Sequence, residues 1–482
     1  MTESAASAVS GTLSTPKTRL EPDAIGVGQD TIIGMASSAP AATIGLSLFG
    51  LASATAYGSG LILLLTAIPM IVIANAYRRC NMWNANCGAS FEWVGRSISP
   101  YLGFMTGWLM VVAYIVGTVA EILLLGPSVL AVFGSSSTNT WAWVGIGTAV
   151  GLVMLVIAVV GIRITARTQV SMAAVEYLIL IGLAIAGLIF VLAHHRGTYP
   201  MTAGWWSLSG VDGKGSALAG FLIAVFVYGG WDGTVYVNEE VKQRHTNPGK
   251  AAVLAVALLA IIYTLAQVGL QGVVSPHRLY VASQTGSALV YVANALGGGF
   301  WAKAMALSIA LSVIATTGTG IVISARLAYG MASYRALPGF LSNVSGRFRT
   351  PVAASVIAGL LLIALTWIYL LATSVQNAFS DVIDVTGLLF AIFYVLTALA
   401  TITYYRRRVI RTARDFITLG VLPLGAAVFL GWMFVESVRD ETHVLNWTLV
   451  GIIGAGVLLM MSARFISRSE FFQLPRESDP GN

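Results

Sequence analysis

Residues 228–233 read Tyr-Gly-Gly-Trp-Asp-Gly (YGGWDG) and sit inside an apolar run from 216 to 237. Three glycines and a carboxylate are poor material for the centre of a helix, where each glycine costs about 1 kcal/mol relative to alanine. The run nonetheless has the length, roughly 20 residues, that carries a helix across a hydrocarbon core about 30 Å thick. A matching interruption, Ala-Ser-Ser-Ala-Pro at 36–40, falls inside the first apolar run, 25 to 48. Pro40 removes a backbone donor and crowds the preceding turn, while paired glycines lower the cost of leaving helical geometry. Both runs are therefore expected to break near mid-depth.

The whole chain supports a membrane setting. Of 482 residues, 57% are hydrophobic and only 10% charged, against about 25% charged in soluble domains; mean hydropathy is +0.81. Apolar runs of spanning length lie at approximately 25 to 48, 57 to 77, 102 to 133, 141 to 162, 170 to 193, 216 to 237, 250 to 274, 300 to 325, 351 to 371, 382 to 405, 415 to 436 and 446 to 465. They are continuous and do not alternate apolar with polar, so they predict an all-α integral membrane protein with 12 transmembrane helices and not a barrel.

Charge sets the expected orientation. With the N-terminus inside, 22 of the 27 Lys and Arg residues fall in cytosolic segments, and only Arg196, Lys214, Arg278, Lys303 and Arg439 fall opposite. The positive-inside rule then places both termini in the cytosol of a multi-pass cell-membrane protein. The net charge of +7 serves topology and headgroup contact, with Arg406, Arg407, Arg408, Arg411 and Arg414 the densest group, and does not call for nucleic acid. Residues 1–24 are expected to form a disordered cytosolic tail, because the Ser-, Ala- and Thr-rich start has neither a short apolar core nor a convincing cleavage site. Cys80 and Cys87 both fall on the cytosolic side and support neither a disulfide framework nor zinc.

Five spans from 25 to 193 and five from 216 to 405 each open with a broken helix. Five is odd, so the second unit enters from the opposite side, giving a five-plus-five inverted repeat with broken helices 1 and 6. Residues 406–465 add helices 11 and 12, and 466–482 form a second cytosolic tail. Paired breaks in inverted repeats point to a substrate site at the midplane. No nucleotide-binding G-x-x-x-x-G-K-[ST] run occurs, so energy would come from a gradient or from exchange.

Several segments carry a resemblance. Phe226 through Gly233, then Asn238-Glu239-Glu240-Val-Lys242 and Asn247-Pro248-Gly249-Lys250, resemble the sixth helix and following loop of amino acid-polyamine-organocation permeases. Ser324 through Pro338 is similar to the end of that family's eighth helix. Gly88-Ala-Ser90-Phe-Glu-Trp-Val and Pro100 through Trp108 resemble its second loop and third helix. The resemblance implies five-plus-five inverted helices with two extra spans and secondary transport. Many members carry a Gly-small-Gly turn in the first helix where this chain has Ser37-Ser38-Ala39-Pro40, which leaves the substrate open. Some proton-coupled members carry, in place of a sodium ion, a Lys where Glu176 falls here.

A half-helix N-terminus offers free N–H groups and partial positive charge to a substrate carboxylate. The expected donors are the amides around Ser38, Ala39 and Ala41. Carbonyls near Met35, Ala36 and Tyr228 would accept from a substrate ammonium, with Gly229, Gly230 and Trp231 completing the second break. Small residues at 37 and 38 also suit plain helix packing. Asp232 at mid-depth needs a cation, a cavity or a partner; it either contacts substrate or caps the second half-helix. Glu176, with Glu121, is a candidate proton carrier, and Glu176 is as readily a hydrogen-bonded structural group. Thr316, Thr317 and Thr319 are candidate sodium ligands, though threonine also back-bonds within its helix. Glu239 and Glu240 are expected in a solvated loop, with a gate ion pair to the Arg326 region as the alternative.

Alternating-access transport of an amino acid, coupled to protons or else sodium, is the function these readings predict. A polyamine or organic-amine permease, or an amino acid exchanger, is the alternative, and a non-transporting membrane sensor a more remote one. No enzyme chemistry, cofactor or metal is implied, and the sequence leaves the oligomeric state open.

Overall fold

The computed structural model describes residues 19–135, 137–193, 199–208, 213–285, 287–372, 375–440 and 443–480. The first run is split into α1 (Val27–Ala36) and α2 (Pro40–Thr55), followed by α3 (Ser59–Trp83), the short α4 (Ser90–Ser97), α5 (Pro100–Ile122), α6 (Leu125–Val132), α7 (Thr140–Val160) and α8 (Ile162–Leu192). The second unit opens with α9 (Gly213–Val227) and α10 (Gly233–Tyr236), then α11 (Asn247–Gln271), α12 (Pro276–Thr285), α13 (Ala288–Gly297), α14 (Gly299–Ser333), α15 (Val352–Ala372) and α16 (Val375–Tyr404). The remaining helices are α17 (Arg406–Val409), α18 (Ala413–Asp415), α19 (Leu422–Asp440) and α20 (His443–Met461). Among the described residues, 11 helices are long and apolar enough to cross a membrane. The run at 216 to 237 is not one of them, because its break leaves a 15-residue and a 4-residue helix.

Burial separates core from periphery. In the Gly299–Ser333 span 83% of the apolar window is buried, against 17% in Trp447–Ile466. The central α14 packs on α5, α7, α8 and α15, whereas α19 and α20 cover the flank of α16 and α5. Trp447, Leu458 and Val428 on those outer helices are exposed, as expected where the solvent is lipid hydrocarbon and apolar surface carries no penalty.

The two breaks meet backbone to backbone. Gly230 has φ +103°, and a Cβ there would lie 2.5 Å from the Ser37 carbonyl oxygen and 3.1 Å from the Ser38 nitrogen. Gly34 faces the other partner equally closely, its Cβ position falling 2.8 Å from the Trp231 carbonyl oxygen. Only hydrogen fits at either position. Just beyond the breaks, Ile25 and Val241 form a parallel bridge, with Ala24 N–H donating to Glu240 O at 2.8 Å and Lys242 N–H to Ile25 O at 2.9 Å.

The described parts of both terminal segments pack against the helices. Residues 1–18 of the expected tail lie outside the described residues, but Leu20 and Ala24 are buried and the chain is already paired at Ala24. At the other end, Phe471 is buried and stacks on Phe91 at 3.9 Å. Arg96 Nη1 reaches Glu477 Oε1 at 2.5 Å, and Asp479 N–H donates to Tyr404 O at 2.9 Å. A Phe-Phe pair followed by carboxylates matches the apolar and basic sides of α4. Beneath the same guanidinium, burial pushes the Glu92 carboxyl above its usual range, with Arg96 opposing the shift.

Replacing Gly230 with Ala should lower the thermal unfolding midpoint of the purified protein, at a cost of about 1 to 3 kcal/mol for a side chain at positive φ against backbone. Gly145→Ala, where nothing lies within 4 Å, should leave the midpoint unchanged. Equal midpoints for the two variants would contradict the close approach of the breaks.

Candidate functional site

The break in span 1 is a single turn in which Ser38 N–H donates to Met35 O and Ala39 N–H to Ala36 O, at 3.0 and 3.2 Å. Ala39 then takes φ +43°, and Pro40 starts α2. The amides expected at Ser38 and Ala39 are thus spent on closing α1. The first donors that point out of the break are Ala41 N–H, bonded to Glu176 Oε1 at 3.0 Å, and Ala42 N–H, bonded to Ser312 Oγ at 3.4 Å. Carbonyls freed by the break are held as well: Thr316 Oγ1 donates to Ala36 O at 2.7 Å, and Tyr263 Oη to Ser38 O at 3.1 Å. Thr43 Oγ1 lies 2.7 Å from Ser38 O and 3.3 Å from Glu121 Oε1.

Between the breaks a cavity of about 30 Å³ remains, lined by residues that include Ser37, Ser38, Glu121, Gly229, Thr316 and Phe390. That volume suits water and not a substrate molecule. Glu121 Oε2 and Glu176 Oε2 are buried without a partner among the described residues. Each carboxyl therefore has one oxygen without a partner, and Glu121 is among the residues that line the cavity.

The second break is organised differently. Asp232 sits at the start of α10 but makes no side-chain cap. Its Oδ1 accepts from Tyr394 Oη at 2.8 Å and its Oδ2 from Tyr236 Oη at 3.0 Å. Trp231 stacks on Tyr394 at 5.2 Å and meets Tyr77 edge-on at 5.1 Å. Tyr228 turns toward span 2, donating to Leu63 O at 3.1 Å. Tyr114 Oη donates to Gly230 O at 3.3 Å. A fully buried carboxylate is tolerable here because two hydroxyls solvate it.

Thr316, Thr317 and Thr319 all back-bond within α14, to Ser312 O, Val313 O and Ala315 O. Gln169 Nε2 on α8 donates to Ala315 O at 2.9 Å and ties the two helices together beside them. Lower down, Glu240 is not in a solvated loop. It is fully buried and paired through both oxygens with the fully buried Arg326, whose Nη2 donates to Oε1 at 3.0 Å and whose Nε meets Oε2. Glu239 Oε1 caps Cys87 N–H at 3.1 Å. Cys80 and Cys87 are free and buried.

Sequence reading overlooked Thr43, Tyr263, Ser312, Gln169, Tyr236 and Tyr394, because single polar residues in apolar runs give no sign of which break they face. Asp30 was missed despite a visible signal, a carboxylate inside the first run; it is fully buried and both oxygens lack a partner among the described residues.

Residues 28–458 match the sequence model of the amino acid permease family. The low-affinity putrescine importer PlaP of Escherichia coli (strain K12) is 24% identical over 407 residues, covering 83% of this chain and 84% of that protein. The large neutral amino acids transporter small subunit 2 of Homo sapiens is 25% identical over 242 residues, 50% of this chain and 41% of its own length. The vacuolar cationic amino acid transporter 4 of Arabidopsis thaliana is 22% identical over 295 residues, 58% and 48% of the two chains. The chain belongs to the amino acid permease family.

Tyr394→Phe should keep the stack on Trp231 and lose one donor to Asp232, costing about 1 to 3 kcal/mol for a buried acceptor left short. Tyr394→Ala removes the ring as well and should cost about 3 to 5 kcal/mol. Thermal midpoints in that order support the tyrosine cage; a Phe variant as stable as the parent would count against it.

Proposed function

We propose that this member of the amino acid permease family is a secondary carrier that moves an amino acid or a related amine across the cell membrane by alternating access, with both termini cytosolic. The observation that carries the reading is the meeting of the two breaks, Ser37–Ala39 and Gly229–Asp232, around a cavity with an unsatisfied buried carboxyl, Glu121. Opening on one side and then the other would expose that cavity alternately, which is how paired broken helices serve transport.

Protons are the coupling ion that the arrangement favours. Glu121 and Glu176 reach the same stretch of α2, through Thr43 and Ala41, and a carboxyl in hydrocarbon is cheapest when it can exchange a proton. The threonines of α14, with Thr316 donating to Ala36 O of span 1 and Thr317 and Thr319 to carbonyls of their own helix, bring no charge for sodium. Where some proton-coupled members of the family resemble this chain but carry a lysine, Glu176 stands here, which can carry a proton but cannot stand in as a fixed cation.

In proteoliposomes, uptake should follow an imposed pH gradient, vanish with a protonophore and ignore the sodium gradient. Glu121→Gln should abolish uptake, and Glu176→Gln should uncouple it from pH by at least about tenfold in accumulation, the effect of losing about 1.4 kcal/mol of drive per factor of ten. Unchanged pH-driven accumulation in Glu176→Gln would remove that residue from the proton path, and sodium-driven uptake in the parent would overturn proton coupling.

A further inference from the structure

The first outward donor of span 1, Ala41 N–H, is already bound by a carboxylate of the protein's own. A half-helix N-terminus is suited to a substrate carboxylate, and here Glu176 supplies one from α8. No other donor in the break takes its place. Ser38 and Ala39 N–H close α1, Ala42 N–H goes to Ser312, Thr43 N–H returns to Ala39 O at 2.8 Å, and Pro40 has none. A substrate carboxylate would have to displace Glu176 and then sit beside two buried acidic groups. Like charges at that distance in a medium of low dielectric are strongly unfavourable.

Among the unsatisfied buried atoms at the breaks are two carboxyl oxygens, while the Trp231 indole N–H, a donor also without a partner among the described residues, does not line the cavity. Glu121 Oε2 and Glu176 Oε2 are buried and unpartnered, and Glu121 lines the cavity. An ammonium brings three donors and a positive charge to that place.

We propose that Glu176 determines the substrate class by occupying the Ala41 amide, so that the carrier takes an organic amine without a carboxylate and holds its ammonium on Glu121. This rests on the reading of the paired breaks as the transport site, and narrows it. Discrimination comes from exclusion as much as attraction, since the Ala41 amide held by Glu176 is no longer open to a ligand carboxylate.

The test uses pairs of compounds that differ by one carboxylate: 1,4-diaminobutane against ornithine, and 3-methylbutylamine against leucine. Binding of each to the purified full-length protein in nanodiscs is measured by calorimetry. The amine of each pair should bind at least about tenfold tighter, the discrimination a misplaced charge easily provides. Glu176→Ala should erase most of that preference by freeing the amide. Glu176→Gln, whose side-chain oxygen still accepts from Ala41, should retain more of it, which a purely structural role for Glu176 would not produce.

An amino acid that binds the parent as tightly as its amine, with binding lost in Glu121→Gln, overturns the assignment and leaves the transport site standing. Equal shifts in Glu176→Ala and Glu176→Gln overturn it too, because charge and not occupancy would then be responsible. Binding of either class that is untouched by both Glu121→Gln and Thr118→Trp, the latter filling the cavity that Thr118 also lines, or no binding by any of the four, overturns the site along with the assignment.

Discussion

Everything at the centre of this protein depends on one contact, the approach of the Gly230 α-carbon to the Ser37 carbonyl. Two broken helices can present polar backbone to a shared space only if their unwound segments touch, and a single methyl at residue 230 would overlap that carbonyl by its 2.5 Å separation. Gly34 against Trp231 makes the reciprocal contact. In hydrocarbon, unpaired backbone is tolerated only where protein or a polar cavity receives it, so each break needs the other. The bridge between Ile25 and Val241 extends the same pairing beyond the helices.

Around that contact the protein has to manage several buried acids, and it does so by different means. Asp232 is solvated by two tyrosines from α10 and α16. Glu240 is neutralised by Arg326 through a two-pronged contact, the strongest geometry open to a carboxylate. Glu176 takes a backbone amide at the start of α2. Only Glu121 combines a weak partner, the Thr43 hydroxyl at 3.3 Å, with a place on the cavity wall. Of these four, the acid least satisfied is thus the one on the cavity wall, and the difference is one of partners, since all four are buried.

Much of the fold was legible because membrane helices announce themselves through length and continuous apolarity, and because Gly-Gly and Ser-Ser-Ala-Pro are poor helix formers wherever they occur. The fate of individual polar residues was not. Whether Asp232 met substrate or capped α10 depended on Tyr394, 162 residues away, and nothing in an apolar run marks one tyrosine as facing a given carboxylate. The Ala41 amide and the Glu176 carboxyl were each visible as candidates for different roles, a substrate anchor and a proton carrier. Their bond to each other needed the packing of α8 against span 1. The buried Glu240–Arg326 pair was hidden for a similar reason: a charged loop sequence reads as solvated until another helix covers it.

The central claim is that substrate binds where the two breaks meet. It is tested most directly by placing a cysteine at Ser38 in a background lacking Cys80 and Cys87, and following its modification by a membrane-permeant thiol reagent with and without 1,4-diaminobutane. A ligand in that space should slow modification at residue 38 several-fold while leaving a cysteine placed at the exposed Trp447 unaffected. Modification at residue 38 that proceeds at the same rate with saturating, demonstrably bound ligand would place the substrate elsewhere and contradict the account.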